Sequence, residues 1–496
     1  MIQNACLELK IHSAHSADPH SRSAPLLPGG ADTSAVVERI AAAIRIREEK
    51  RSVTFDASAG RFRLKCSLCG AAFVDDGLRL QCSAAHSPAL LVSDYEQKEF
   101  TPADNEEGIF RYRHWLPIRR TLRGSGRTVT YRSESLSKIT GLKNLWIAFN
   151  GYWPEKGAAL RTGTFKDLEA YAVLSRIPHG SDKVLVVASA GNTAAAFARA
   201  CSVNHIRCLI VMPESGLAEM RFDLPVASCV KVIALGGGSD YSDAIRFAEM
   251  LACQPGFVLE GGAKNVARRD GLGTLLLNAF ETIWRMPDYY FQAIGSGAGA
   301  IAVHEAARRL TKGRGPFPRL WLSQNEPFVP IADAWRRGSR TWTPLDNPQA
   351  KRQIAALDAK VLSNRFPPYA LPGGLYDALV ESDGNVVPVT NTAAKAAAAL
   401  FESLEGIDIH PAAAVAFASL LDASRNHLIP SDATVVLNIS GGGKRRLASD
   451  VPLFRKPPDL TIHGPRVRPQ DPLGQIGDLF EQPCFQSNAE ANLRFT

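Results

Sequence analysis

Lys166 closes the run Thr162-Gly163-Thr164-Phe165-Lys166-Asp167 and opens a helical stretch, KDLEAYAVL. A lysine held there can act as an amine nucleophile. A lone lysine at a helix start is ordinarily a solvated charge, so the neighbouring motifs decide. Ser189-Ala190-Gly191-Asn192-Thr193 follows the apolar run VLVVA and opens another helix, leaving backbone N–H groups that can grip a carboxylate. Gly295-Ser296-Gly297-Ala298-Gly299-Ala300 lies between YYFQAI and the helical IAVHEAARRL, where unhindered N–H groups and the helix dipole favour a phosphate. A last glycine turn, Ser440-Gly441-Gly442-Gly443, follows TVVLNI.

Two further readings compete for these residues. Gly295, Gly297 and Ala300 satisfy the dinucleotide fingerprint G-x-G-x-x-G/A. That fingerprint expects an acidic residue roughly 20 positions on, where this chain has Leu322-Ser323-Gln324-Asn325 with Glu326 slightly late, so the reading is weakened but open. Near the N-terminus, Cys66-x2-Cys69 and Cys82-x3-His86 follow FRLK and LRLQ, strand-like segments each ending in a cysteine-bearing turn. This spacing approaches that of a structural zinc ribbon; reduced thiols without metal are the alternative. Cys201, Cys208, Cys229 and Cys253 read as buried fillers, and His114 beside Trp115 as a packing histidine.

The elements that must position these motifs alternate between strand and helix from about residue 108, which means a parallel sheet with crossover helices. With 496 residues, 45% of them hydrophobic and 21% charged, the chain is too long for one core. The expected division is a flexible extension with one amphipathic helix over 1–57 and a zinc-ribbon-like subdomain over 58–100. A large domain then covers 101–164 and 286–450, a small substrate-closing domain 165–285, and a tail that wraps or dangles 451–496. The net charge of +8 is spread along the chain without a basic arm, so small anions, not nucleic acid, are the expected partners. No leader-like segment and no apolar run of about 18 residues occurs, so no membrane contact and a cytoplasmic location are expected.

The four motifs, in this order, resemble the fold-type-II pyridoxal-phosphate enzymes of the threonine-synthase-like family. Longer strings, NGYWPEKGA, EGGAKNVARRDGLGT, PDYYFQAIGSG, GGLYDAL and SLEGIDIHP, resemble the archaeal cysteate synthases, from about Arg61 to about Phe454. The resemblance implies a tryptophan-synthase-β-like fold of two parallel-sheet α/β domains and pyridoxal 5'-phosphate as cofactor. It implies Lys166 as the lysine that carries the cofactor, Asn192 as the partner of its phenolic oxygen, and Gly295, Ser296, Gly297, Ala298 and Gly299 as its phosphate cradle. Ser440 would be a neutral partner of the pyridine nitrogen, which suits elimination and replacement over transamination. Ser189, Ala190, Gly191 and Thr193 would hold the substrate carboxylate, and a homo-oligomer is expected.

The reaction implied is O-phospho-L-serine plus sulfite giving L-cysteate and phosphate, as in coenzyme M biosynthesis. Conversion of O-phospho-L-homoserine to threonine, replacement by another nucleophile, and a binding protein that has lost catalysis stand beside it. Because the implied substrates are anions, Lys264, Arg268, Arg269 and Arg365 are candidate grips, with exposed helix charges as the alternative reading.

Overall fold

The computed structural model describes residues 61–189, 191–345, 347–463 and 476–480. The 1–57 extension with its helix, Ala190, and most of the tail beyond 463 lie outside the described residues.

A strand covered on both faces by helices has no polar face, so strands of a buried parallel sheet are continuous apolar runs. VLVVA, CLIVMP and VKVIAL behave accordingly, as strands Val184–Ala188, Cys208–Pro213 and Val230–Leu235. With Phe257–Leu259 beside Val184–Ala188 and Leu460–Ile462 beside Val230–Leu235, they make a five-stranded parallel sheet. A second sheet of six strands runs in the order Asn385–Val389, Arg319–Asn325, Tyr289–Ala293, Thr434–Ile439, Asn144–Phe149 and Val129–Arg132. All its pairings are parallel except the last, at the edge. Helices Asn391–Glu405 and Pro411–Arg425 seal one face of this sheet over Ile147, Phe291 and Leu437. Helices Val266–Ile283 and Ala298–Leu310 share the core that includes Tyr290, Leu320 and Val436. This is the fold-type-II architecture of two parallel α/β sheets.

The described part of the segment after 451 wraps onto the smaller sheet: Phe454–Arg455 pairs with Arg221–Phe222, and Leu460–Ile462 is that sheet's edge strand. Ile476 and Phe480 pack into the core of that sheet. Strands this short, flanked by KPPD, carry too few residues to show a period. In the N-terminal subdomain, Phe62–Cys66 is a strand as expected, but LRLQC is not. The partners of Phe62–Cys66 are Ala72–Phe73 and Leu91–Tyr95. LRLQC instead follows a turn in which Asp76 Oδ1 accepts the amides of Leu78 and Arg79.

The Ser189, Gly295 and Ser440 turns each follow the C-terminal end of a parallel strand, the edge at which open α/β sheets form their binding crevices.

Candidate active site

The Lys166 turn is set by its crossing with the Ser440 turn. Phe165 N donates to Ser440 O at 3.0 Å, Gly442 N to Gly163 O at 3.0 Å, and Thr164 bridges Gly441. The crossing explains Gly441, whose Cβ would stand 2.9 Å from Gly163 O, while Gly443, at φ 69°, is required by Tyr152 O, which a Cβ would meet at 1.8 Å. Thr162 donates its hydroxyl to Asp167 Oδ1 at 2.7 Å and its amide to Oδ2 at 3.2 Å, which closes the turn in front of helix Lys166–Arg176.

Lys166 Nζ donates to Glu169 Oε2 at 3.0 Å. Burial pulls the Lys166 amine below the usual lysine range, Glu169 opposes that shift, and the Arg268 guanidinium adds to it. Glu169 is fully buried and also accepts from Arg268 Nη1 at 2.7 Å and from the Thr193 hydroxyl at 3.0 Å. Arg268 turns its other edge to Glu260, with Nε 2.8 Å from Oε1 and Nη2 on Oε2. Two basic side chains and two carboxylates thus alternate behind the turn, in the order Lys166, Glu169, Arg268, Glu260.

In the Ser189 turn the serine hydroxyl accepts the amides of Gly191, at 3.1 Å, and Ala194, at 2.9 Å. With 3% of its surface exposed, Ser189 Oγ shapes the turn from within. Asn192 opens helix Asn192–Asn204; its Nδ2 lies 3.3 Å from His410 Nε2 and its Oδ1 3.4 Å from Lys444 Nζ. Lys444 also pairs with Glu219 at 2.5 Å. Burial and the Lys444 charge push His410 down to about 4, so it is neutral at physiological pH.

The Gly295 turn opens the 13-residue helix Ala298–Leu310 with Gly297 in the left-handed region at φ 80°. A Cβ on Gly297 would lie 2.6 Å from Leu375 Cδ2. Ile301 N bonds Gly297 O, whereas the amides of Gly299 and Ala300 precede the first intrahelical acceptor and remain for a ligand. Beneath this turn runs a buried polar row: Asn150 Nδ2 donates to Asn438 Oδ1 at 3.0 Å, and Asn438 Nδ2 to Gln292 Oε1 at 3.0 Å.

Of the expected anion grips, Lys264 is exposed, before helix Val266–Ile283. The arginines are neither exposed charges nor open grips, a correction for all three. Arg268 is engaged by Glu169 and Glu260, as above. Arg269 is fully buried on Glu305, at 3.0 Å, and on the carbonyls of Ala263 and Leu91. Arg365 reaches Ser242 Oγ at 3.1 Å and Asp240 at 3.1 Å. Guanidiniums this buried require such partners, because an unpaired buried charge is prohibitively costly. Sequence reading missed Glu169, Glu260, His410, Lys444 and Glu219. The Lys166-x-x-Glu169 spacing was the legible signal among them, as it puts both side chains on one helical face. A second cluster, away from these turns in sequence, gathers Cys66, Cys69, Cys82 and His86 with their ligand atoms within 4.8 Å of one another.

These features fit pyridoxal phosphate: a half-buried amine at a helix start, paired with a fully buried carboxylate, a glycine turn offering free amides, and a small hydroxyl residue at the crossing. The family model described as pyridoxal-phosphate dependent enzyme matches residues 122–441. The holo diaminopropionate ammonia lyase of Escherichia coli shares the fold, at TM-score 0.50 and 16% identity, over 65% of this chain and 86% of that one. Fold and site therefore define a pyridoxal-phosphate-dependent enzyme. Two curated relatives refine the assignment. The cysteate synthase of Methanosarcina mazei is 45% identical over 412 residues, which is 82% of this chain and 98% of the relative. That of Methanocella arvoryzae is 45% identical over 414 residues, 82% of this chain and 97% of the relative. The chain belongs to the cysteate synthase family. The dinucleotide reading of the Gly295 turn and the non-catalytic alternative are thereby set aside.

Proposed function

We propose that the protein makes L-cysteate from O-phospho-L-serine and sulfite, breaking the bond from the β-carbon to the phosphate oxygen and forming a carbon–sulfur bond in its place. The observation that carries this reading is 45% identity to cysteate synthase over 98% of the relative's length, joined to a site with a half-buried lysine and helix-opening glycine turns.

Gly295, Ser296, Gly297, Ala298 and Gly299 would hold the cofactor's phosphate through backbone amides, Asn192 its phenolic oxygen and Ser440 its ring nitrogen. When bound, pyridoxal phosphate supplies an electron sink that acidifies the α-carbon of the amino acid it carries and allows a β-substituent to depart. Lys166 would take up the α-proton at Nζ. Its burial favours the neutral amine needed for that step, and Glu169 steadies the ammonium that results. The backbone amides of Gly191 and Thr193, at the start of helix Asn192–Asn204, bind the substrate carboxylate. Ser189 keeps that turn in shape. Lys444 joins the anion-binding role first given to Lys264, because it reaches Asn192 and its partner Glu219 can release it to a substrate oxyanion.

Phosphate release from O-phospho-L-serine and from O-phospho-L-homoserine, followed with purified holoenzyme, tests the substrate. The proposal expects release from the serine ester, dependent on Lys166. Threonine formed from the homoserine ester would overturn it.

A further inference from the structure

The N-terminal subdomain holds a set of donors that the reaction leaves unused. Cys66 Sγ lies 3.6 Å from His86 Nε2, and Cys69 Sγ lies 3.7 Å from Cys82 Sγ. Zinc bonds of about 2.3 Å to sulfur and about 2.05 Å to nitrogen, in a tetrahedron, put two sulfurs roughly 3.8 Å apart and a sulfur and a nitrogen roughly 3.5 Å apart. These two pairs have the spacing of neighbouring ligands on a tetrahedral ion, and all four ligand atoms lie within 4.8 Å of one another. They are far from the ~2.0 Å of a disulfide. The histidine is oriented as a ligand must be: Nδ1 lies 2.6 Å from Ser87 O, so it carries the proton and leaves the Nε2 lone pair facing the thiols. A backbone knuckle presents the first pair of cysteines, with Gly70 N on Cys66 O at 3.0 Å and Cys66 N on Ala71 O at 2.9 Å.

The loop that these four residues close has little regular structure, with only Ala72–Phe73 as strand between Ser67 and His86. It nevertheless contacts two elements that carry residues of the site, the helix that Lys166 begins and the segment that backs the Gly295 turn. On one side, Arg176 ends the helix that Lys166 begins, and it is 1% exposed. Its Nη2 donates to Asp75 Oδ1 at 2.6 Å and to Arg79 O at 2.8 Å, and its Nη1 to Asn265 Oδ1 at 3.0 Å. On the other side, Ser67 Oγ is shared between Leu90 O at 2.7 Å and Pro372 O at 2.8 Å. Gly373 makes room for it, since a Cβ there would lie 2.6 Å from Ser67 Oγ. Two residues further, Leu375 is the side chain packed under Gly297 of the phosphate turn.

We propose that Cys66, Cys69, Cys82 and His86 bind one zinc ion through three thiolates and His86 Nε2, and that this ion locks the 67–86 loop as a brace between the far end of the Lys166 helix and the segment backing the Gly295 turn. A loop without its own core loses its fold with its ion, because metal-binding energy is there folding energy. The assignment does not depend on which reaction the enzyme performs.

The test uses the full-length holoenzyme, purified under reducing conditions without chelator. Elemental mass spectrometry is expected to find about one zinc per chain, and exchange to cobalt(II) to give thiolate-to-metal charge-transfer absorption. Cys69→Ser and Cys82→Ser should each lose most of the metal, whereas Lys166→Ala should keep it. If those cysteine variants fail to fold, alkylation of the unaltered protein decides. Cys69 and Cys82 should resist modification until a chelator is added, while Cys253, which is exposed and not the buried filler expected of it, reacts at once. Less than about 0.2 metal ion per chain, or free reaction of both Cys69 and Cys82 in the untreated protein, would overturn the site. Removal of the zinc should weaken pyridoxal-phosphate retention at least tenfold; unchanged retention would overturn the brace.

Discussion

Gly297→Ala is the sharpest perturbation of the phosphate turn. Gly297 sits at φ 80°, where a side chain costs about 1–2 kcal/mol. Its new Cβ would also meet Leu375 Cδ2 at 2.6 Å and Cγ at 3.3 Å. Leu375 is fully buried at the start of its own helix, so overpacking adds about 1–3 kcal/mol. Backbone adjustment can relieve part of that about 2–5 kcal/mol in the cofactor-free protein, but not in a turn closed on a phosphate. Pyridoxal-phosphate affinity should therefore fall at least tenfold, and by at most about 5,000-fold if the whole cost is felt in the bound state. Titration of the cofactor's visible band measures it, with the melting temperature of the cofactor-free protein as the control for general damage. Adding Leu375→Ala removes the clash and leaves the backbone cost, so affinity should recover to within about 5- to 30-fold of the parent. Cofactor affinity within twofold of the parent in Gly297→Ala would refute the turn as the phosphate cradle.

Glu169→Gln should keep the cofactor's visible band and lower kcat/KM by about 100-fold or more, the usual size of a lost proton-transfer partner; unchanged kinetics would remove Glu169 from the site. Lys444→Met should raise KM for an anionic substrate by about 10- to 100-fold, with kcat changed much less, as expected for one lost charge-assisted hydrogen bond. Because His410 is pushed down to about 4 in the folded chain, the unfolded chain takes up its proton first as the pH falls below about 6.5. Its contribution to stability is present above that pH and is lost as the pH falls through about 4. His410→Gln should flatten the acid limb of denaturant-measured stability between those values, and an unaltered slope would count against a buried neutral histidine.

The parallel strands and the glycine turns were legible because each is written in contiguous residues: an apolar run of five or six, then glycines where two backbones cross. What stayed hidden depends on contacts distant in sequence. Arg268 looks like an exposed helix charge until Glu169, 99 positions away, is brought to it. His410 and Lys444 converge on Asn192 across separations of 218 and 252 residues, which no local pattern records. The edge strand Leu460–Ile462 was missed for a different reason, since three residues cannot display a period and only the open edge of Val230–Leu235 selects them. The Cys66 cluster was readable in its spacing, but not in its sheet: the cysteine-bearing turn at Cys82 is irregular, and the strand that completes the subdomain is Leu91–Tyr95.

The most direct test of the central claim supplies holoenzyme with O-phospho-L-serine and sulfite labelled with heavy sulfur, then counts phosphate and labelled product by mass spectrometry. The proposed reaction predicts labelled L-cysteate and phosphate in equal amounts, with both lost in Lys166→Ala. Phosphate released without labelled cysteate, or no release from a preparation carrying its full complement of cofactor, would contradict it.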